Sequence, residues 1–255
     1  MNNLFSLEGK TALITGGNGG LGLGMAEGIV NQGAAVIITG RDKKKLSEAV
    51  SEIKNIGGQA YSLAGDVNDI NDLSKIVENA VTCTGKIDIV INNAGVNVRK
   101  QPQDLTDDDW DFVMNTNLRS VFRLSKLMYP HLLQNGGGKI INIGSMYSIF
   151  GSDWVAPYSA SKGGVIQLTK SLGVAWAKDN IQVNAIIPGW FETDLTSSIS
   201  VLDKERYDRI TTRIPSQKWG TPKDIAGTAI FLSSSASDYV TGTSIIIDGG
   251  YSASG

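Results

Sequence analysis

Short apolar runs alternate with longer segments of helical periodicity along almost the whole chain. Thr11–Thr15 (TALIT) is one such run. Glycines follow it, then a helix-length segment Leu21–Gln32, then a second apolar run at Ala35–Thr39. This is the pattern of a βαβ unit. The rhythm repeats through helical Lys43–Asn55, strand-like Ala60–Ala64, helical Ile70–Thr84 and strand-like Ile87–Ile91. Further runs at Lys139–Ile143, Gln182–Ile187 and Ser244–Ile247 bring the expected strands to seven. The runs are continuously apolar rather than alternating, which fits a parallel sheet covered on both faces. The expected fold is therefore α/β: a single doubly wound Rossmann-type domain over residues 1–255, with a seven-stranded parallel sheet.

Two more helices fill the middle of the chain. Thr106 followed by Asp109 has the form of a capping box that opens a helix running toward Asn115, and a helix over Leu118–Gln134 follows. The longest expected helix, Tyr158–Lys178, carries Ala160, Gly163 and Gly164 near its start, so close packing is implied there. No linker-like change of composition divides the chain, and no internal repeat is visible beyond the βα alternation.

Composition narrows the function. With 41% hydrophobic and 19% charged residues the chain reads as a soluble globular protein. Lys+Arg at 23 against Asp+Glu at 25 leaves a net charge of -2, without the basic excess of a nucleic-acid binder. Met1–Lys10 lacks a basic stretch followed by an apolar core, and no window reaches the ~18 unbroken apolar residues of a membrane span. No membrane partner and a cytoplasmic location are expected. The one cysteine, Cys83, admits no intrachain disulfide, and the one histidine, His131, no ordinary zinc site, so no metal is expected. Cys83 is expected to be packed at a helix end, and His131 to sit late in a helix where a cation suits the dipole. Glycine, at 30 of 255 residues, exceeds the usual ~7% and points to tight turns or close approach of backbone to a ligand.

Many of those glycines fall directly after the first strand, in Thr15-Gly16-Gly17-Asn18-Gly19-Gly20-Leu21-Gly22. A glycine-rich turn between strand and helix aims backbone N–H groups and a helix N-terminus at a pyrophosphate. Two registers compete: Gly17, Gly19, Gly22 by literal G-x-G-x-x-G spacing, and Gly16, Gly20, Gly22. At the end of the second strand, where an acidic residue would hold the ribose hydroxyls of NAD, stands Gly40-Arg41. A glycine leaves room for a 2'-phosphate and a guanidinium supplies bidentate donors, so NADP is favoured over NAD. Asp66-Val67 ends the third strand, where the carboxylate either meets an adenine amino group or caps the next helix. Asn92-Asn93-Ala94-Gly95 ends the fourth, at the carboxyl edge of the sheet where cofactors lie in open α/β folds.

Candidate chemistry sits in the second half. Tyr158 and Lys162 are four residues apart, on one face of a helix that begins near Pro157. An ammonium close to a phenol favours phenolate, which converts a weak acid into a usable acid/base. Ser145, at the end of the Lys139–Ile143 strand, has a hydroxyl suited to donate to a substrate oxygen.

Taken in order along the chain, these motifs resemble the short-chain dehydrogenase/reductase family, and the likeness covers essentially all of it. The family's T-G-x-x-x-G-x-G matches Thr15, Gly16, Gly20 and Gly22, which selects the second register; N-N-A-G matches Asn92–Gly95. Its catalytic Asn, Ser, Tyr and Lys fall on Asn117, Ser145, Tyr158 and Lys162, and its nicotinamide-side motif on Pro188, Gly189 and Thr193. The resemblance implies hydride transfer between NADP and a secondary alcohol or ketone, without metal. In it Tyr158 is the acid/base and Ser145 polarises the substrate oxygen. Lys162 lowers the phenol pKa and holds the ribose, Asn117 positions a water, and Thr193 binds the carboxamide. Asn18 and Leu21 complete the phosphate loop. A homotetramer is implied by the same resemblance.

For the substrate, Arg213-Ile214-Pro215, Trp219-Gly220 and Ala236–Val240 look like the sugar-acid dehydrogenases, whereas Asn117–Lys126 looks like 3-oxoacyl-carrier-protein reductases. Neutral or cyclic ketones stay open as well, and a catalytically idle dinucleotide sensor is the reading from another class. Arg99, four residues beyond Gly95, is placed to pair with a substrate carboxylate, and its competing reading is a solvated loop arginine. Trp190 and Phe191 fall at the expected mouth of the site, ahead of a polar segment, Glu192–Arg213, that is expected either to close over it as a lid or to pack between subunits.

Overall fold

The computed structural model describes residues 3–193, 196–197, 199 and 203–254. Seven strands form one sheet: β1 Thr11–Thr15, β2 Ala35–Gly40, β3 Ala60–Ala64, β4 Ile89–Asn92, β5 Gly138–Ile143, β6 Ile181–Pro188 and β7 Ser244–Ile247. Their order is β3-β2-β1-β4-β5-β6-β7 and every pairing is parallel. Chain order reverses across β1, between β2 on one side and β4 on the other, and such a switch point opens a crevice at the carboxyl ends of the strands.

Side-chain alternation splits the central strands between two cores. Ala12, Ile14, Val36, Ile38, Ile89 and Ile91 face one helical layer. It is built from α1 (Gly20–Val30), α2 (Lys43–Asn55) and a late helix over Pro222–Ser233. Leu13, Ile37 and Val90 face the other, with Leu73, Leu124 and Leu172. That layer holds α3 (Ile70–Thr84), α5 (Ser120–Gln134) and α6 (Ala156–Trp176). Each such buried aliphatic side chain contributes roughly 1.5–3 kcal/mol relative to exposure. The expectation of two covered faces fails at the edges, where Tyr61 in β3 and Ile246 in β7 are exposed, because an edge strand has only one neighbour to share its cover.

The differences from the sequence reading have local causes. β4 starts at Ile89, not Ile87, because the Asp88 carboxylate accepts from the Thr11 N–H at 3.0 Å, so the ladder opens one residue later, at Ala12 and Ile89. α1 stops at Val30, and Gly33, at φ 94°, turns the chain back. The helix α4 (Asp107–Met114), opened by the expected Thr106–Asp109 capping box, does not break before α5: a π turn over Asn115–Arg119 joins the two. α6 begins at Ala156, before Tyr158, and passes at Ala177 into a 3-10 turn. Two helices had no counterpart in the reading: α7 (Lys204–Arg213), inside the polar segment, and α8 (Pro222–Ser233), whose Thr221–Asp224 capping box was a usable signal. Of the proposed lid, 194–195, 198 and 200–202 lie outside the described residues. Cys83 is exposed rather than packed, because it lies in the last turn of α3, beyond the Leu73, Ile76, Val77 and Ala80 stripe that the helix buries. Among the described residues no helix is long and apolar enough to cross a membrane.

α1 and α8 approach so closely that a Cβ on Gly24 would collide with the Pro222 carbonyl. Gly24→Ala is accordingly expected to destabilise by about 1–3 kcal/mol through overpacking. Gly227→Ala is the control, since an added Cβ there meets nothing within 4 Å and helix propensity improves by up to about 1 kcal/mol. Urea denaturation midpoints of the two variants, moving in opposite directions, are the measurement.

Candidate active site

The Thr15 hydroxyl builds the floor of the crevice. Its oxygen accepts from the N–H groups of Asn93 (3.0 Å) and Ala94 (3.1 Å), tying the end of β1 to the turn after β4. The Asn93 amide then donates to the carbonyls of Thr15 and Gly16, each at 3.0 Å. Two glycines of the loop hold left-handed backbone, Gly16 at φ 63° and Gly20 at φ 52°. Gly22 is required for another reason, since a Cβ there would run into the Gly16 carbonyl and the Asn93 amide. Gly19, at φ 173°, is ordinary extended backbone. The register Gly16, Gly20, Gly22 is the one with a physical need at each position. Gly22 nevertheless packs under the loop rather than on the cleft wall, so its part is structural.

Three connected hollows run along the carboxyl edge. The central one is lined by Gly16, Asn18, Gly20 and Leu21 of the loop, with Asn93, Ala94 and Gly95 opposite. Its far end is formed by Tyr158, Lys162, Pro188 and Thr193. A second hollow continues outward past Arg41, Asp66 and Val67. Arg41 stands exposed on its rim, while its neighbour Asp42 is engaged as the cap of α2, accepting from Lys44 and Lys45. Gly40 has an unforeseen reason: a Cβ there would come within 2.6 Å of Asn18 Oδ1, so Asn18 occupies the space an acidic side chain would need. Asp66 lines the hollow and also accepts from Asn68 N at 2.9 Å, whereas the cap of α3 is Asp69.

The third hollow holds the chemistry. Ser145, Tyr158, Pro188, Gly189, Trp190 and Thr193 line it. Ser145 ends its strand in extended backbone, and its Oγ accepts from Tyr147 N at 3.2 Å, which leaves the hydroxyl proton to donate elsewhere. Ser148, which the sequence reading missed, takes the Ser145 N–H and donates to the Lys162 carbonyl at 2.8 Å, fastening this turn to α6. Thr193 is fixed by Thr196, whose hydroxyl accepts from Thr193 N and donates to the Phe191 carbonyl; an S/T at i+3 was the available signal. Arg99 reaches the same hollow, joined by Arg206 of α7, which no local pattern disclosed. Phe191 lines the hollow as well, but it is almost fully buried, bridged to Gly220 and packed on the core around α8, because its backbone joins a short parallel pairing there. Trp190 is at the mouth as expected, its ring 5.4 Å from Trp219.

Asn117 lies in the π turn and is fully buried rather than open to the cleft. Its Oδ1 accepts from Val96 N at 2.8 Å, and its Nδ2 donates to the Val96 carbonyl and to Ser161 Oγ. The side chain is thereby engaged in holding the Gly95–Val96 segment.

Burial dominates the electrostatics. It raises the Tyr158 phenol above its ordinary value, opposed by the Ser145 hydroxyl beside it and reinforced by Tyr147. The direction is opposite to what the neighbouring ammonium alone would produce. Lys162 Nζ donates to the Ile143 carbonyl at 2.7 Å and lies 5.7 Å from the centre of the Tyr158 ring. Burial pushes this lysine down to about 8, so at neutral pH it is still an ammonium, with two N–H donors free of that bond.

The profile of a protein family described as enoyl-(acyl carrier protein) reductase matches residues 16–252. The chain is 43% identical over 250 residues to a 2-dehydro-3-deoxy-D-gluconate 5-dehydrogenase of Dickeya dadantii (strain 3937), covering 98% of each chain. It is 38% identical to a gluconate 5-dehydrogenase of Gluconobacter oxydans (strain 621H), over 99% of this chain and 98% of that one. Its fold overlays the crystal structure of a gluconate 5-dehydrogenase from Burkholderia cenocepacia J2315, in complex with NADP and tartrate, with a TM-score of 0.94 at 36% identity, covering 99% of this chain and 98% of that one. This chain belongs to the short-chain dehydrogenase/reductase family.

The Lys162 charge has a measurable cost. In the unfolded chain the lysine titrates near 10.5 and in the folded protein near 8, so between these values the unfolded state binds more protons and stability rises with pH. Lys162→Met removes that penalty, while its loss of the Ile143 bond is the same at every pH. The stability of the variant relative to wild type is expected to fall by about 3 kcal/mol between pH 7 and pH 10.5. Urea denaturation at the two pH values measures it, and a pH-independent difference would contradict a buried lysine of this kind.

Proposed function

We propose that this protein is an NADP-dependent oxidoreductase that interconverts a secondary alcohol and a ketone on a sugar acid, within one domain that carries both cofactor and substrate sites. The observation that carries the reading is the convergence of the Ser145 hydroxyl and the Tyr158 phenol with two guanidinium groups, Arg99 and Arg206, in one hollow. An acid/base pair beside paired cations suits a hydroxylated carboxylate. A neutral ketone would leave both cations without an anion to pair with.

The cradle fits a dinucleotide, since Gly16 and Gly20, which line it, hold left-handed backbone that favours glycine and keep side chains off that wall. Residues Gly16–Leu21 would hold the pyrophosphate, Arg41 the 2'-phosphate, and Asp66 with Val67 the adenine. Asn93–Gly95 and the two free donors of Lys162 would hold the nicotinamide ribose, with Pro188, Gly189 and Thr193 at the carboxamide. When bound, the nicotinamide supplies or accepts the hydride. Tyr158 gives its phenolic proton to the carbonyl oxygen in reduction and takes it back in oxidation, while Ser145 donates a hydrogen bond to the same oxygen. Because burial keeps the phenol protonated, neutral pH favours reduction, and oxidation gains as pH rises. Asn117 holds Val96 and Ser161, and through them the floor beneath Lys162. The exposed Val174 on α6, Tyr239 before β7 and Ile246 within it support assembly of copies into a homotetramer.

NADPH oxidation against a panel of keto-sugar acids, 3-oxoacyl thioesters and neutral ketones tests the function. Tyr158→Phe is expected to lose about a thousandfold in turnover, inside the range of a positioned acid/base, with NADP binding retained. Near-normal turnover in this variant would remove Tyr158 from the chemistry.

Arg41→Ala should reduce the preference for NADP over NAD by roughly 1.5–3 kcal/mol, the loss of one charge-assisted contact. The ratio of kcat/KM with the two cofactors reads it directly. A wild-type preference for NAD would overturn the assignment of Arg41.

A further inference from the structure

The hollow that contains Ser145 and Tyr158 does not end at Arg99. A groove enclosing about 1250 Å³, open solvent included, continues from it and shares Arg99, Tyr147, Trp190 and Arg206 with it. Past these shared residues the groove is lined by Arg209 and Arg213, and Asp153 is the single carboxylate along it among the described residues. None of the four arginines forms an ion pair among the described residues.

Arg206, Arg209 and Arg213 recur at i, i+3 and i+7 of α7, which puts them on one face. Like charges at that spacing destabilise a helix. The nearby carboxylates do not neutralise them through ion pairs: Asp203 is the helix cap, accepting from Arg206 N, Asp208 pairs with Lys204 at 3.0 Å, and Glu205, four residues before Arg209, forms no ion pair with it. Two of the guanidinium planes are held by aromatic faces, Arg213 at 4.5 Å from the centre of Tyr251 and Arg99 at 5.1 Å from that of Trp154. Stacking of this kind fixes the plane and leaves the edge N–H groups available to a bidentate anion. One carboxylate is matched by one or two guanidinium groups. Four along a continuous channel exceed what a single carboxylate uses.

We infer that the groove beside α7 is a second anion subsite, and that the substrate is a sugar acid carrying a second negatively charged group, carboxylate or phosphate. This inference rests on the sugar-acid reading above. The first carboxylate meets Arg99 and Arg206 next to Ser145 and Tyr158; the second group meets Arg209 and Arg213.

The experiment compares kcat/KM of the wild-type enzyme for three keto acids of matched chain length: one terminal carboxylate, a carboxylate at each end, and a carboxylate with a terminal phosphate. A dianionic substrate is expected to be favoured at least tenfold at low ionic strength, with the preference shrinking as salt is added. Which dianion wins separates carboxylate from phosphate. Arg209→Gln with Arg213→Gln should lower the dianion-to-monoanion ratio tenfold or more. Arg209→Gln alone, which leaves the Tyr251 stack intact, should lower it by part of that amount. Turnover of the monoanion without dianion preference in wild type, or an equal loss on all substrates in the variants, overturns the subsite and leaves the sugar-acid reading standing. If no acid is turned over, that reading fails, and calorimetry on the NADP-loaded protein decides the subsite. Tighter binding of a six-carbon aldaric acid than of the aldonic acid, lost in the double variant, supports it, and equal binding overturns it.

Discussion

A single buried hydroxyl organises this protein. The Thr15 Oγ accepts two N–H groups from the turn after β4 and lies 3.4 Å from the Ile91 carbonyl, to which it donates, so the two strand ends at the switch point are locked to each other rather than merely adjacent. Parallel strands end their ladders at the carboxyl edge with unpaired groups, and a side chain must satisfy them if the crevice is to stay open. Because Asn93 is fixed this way, its amide can hold the Thr15 and Gly16 carbonyls, and because Gly16 is held, Gly22 can pack beneath it. The glycine loop, the wall of the cleft and the position of α1 all follow from one oxygen.

The opposite wall depends on a second tie, from Ser148 to the first turns of α6. A serine that receives the Ser145 N–H and donates to the Lys162 carbonyl sets the distance between the end of β5 and the α-helix that follows it. It brings a hydroxyl, a phenol and an ammonium together without any of them being on a loose loop. Burial then acts in opposite senses on the two titrating groups: it keeps the phenol protonated and weakens the hold of the lysine on its proton. The two groups are thus held in the neutral-phenol, charged-lysine state at neutral pH by the geometry of the fold, the state from which a proton can be donated.

What the sequence disclosed was whatever is carried by local order. β1, β3 and β7, with α2 and α3, lie where period and composition put them, since caps such as Asp42 and Asp69 and continuous apolar runs act within a few residues. β4 shifted because the Asp88 carboxylate, bonded across to the Thr11 N–H, replaced part of its ladder, a contact between residues far apart in the chain. Tyr158 and Lys162 were legible from their four-residue spacing, and Ser145 from its place at a strand end. Asn117 was picked out only through the family motif, and its π turn and the engagement of both amide atoms depend on Val96 and Ser161, contacts that no local pattern carries. Arg206 and the burial of Phe191 were hidden, both being consequences of how the chain after β6 folds back over the sheet.

That asymmetry has a physical origin in the division of labour along the chain. The cofactor half is built from βα turns, where each strand end and the following helix are consecutive, so its signals are contiguous motifs. The hollow beside Tyr158 is assembled from four separate stretches, around Arg99, Tyr147, Trp190 and α7, that meet only in three dimensions. Its rigidity comes from aromatic contacts rather than from strand ladders: Tyr147 meets Tyr158 and Trp190 edge-on, Trp190 meets Trp219, and Trp219 stacks on Tyr207 of α7. A chain of rings connects Tyr158 to the helix that carries the arginines, and the Trp219 indole N–H donates to the Thr211 hydroxyl of that helix at 2.9 Å. Tyr158 and the arginines of α7 are therefore joined through packed rings, although nothing in their sequence positions relates them.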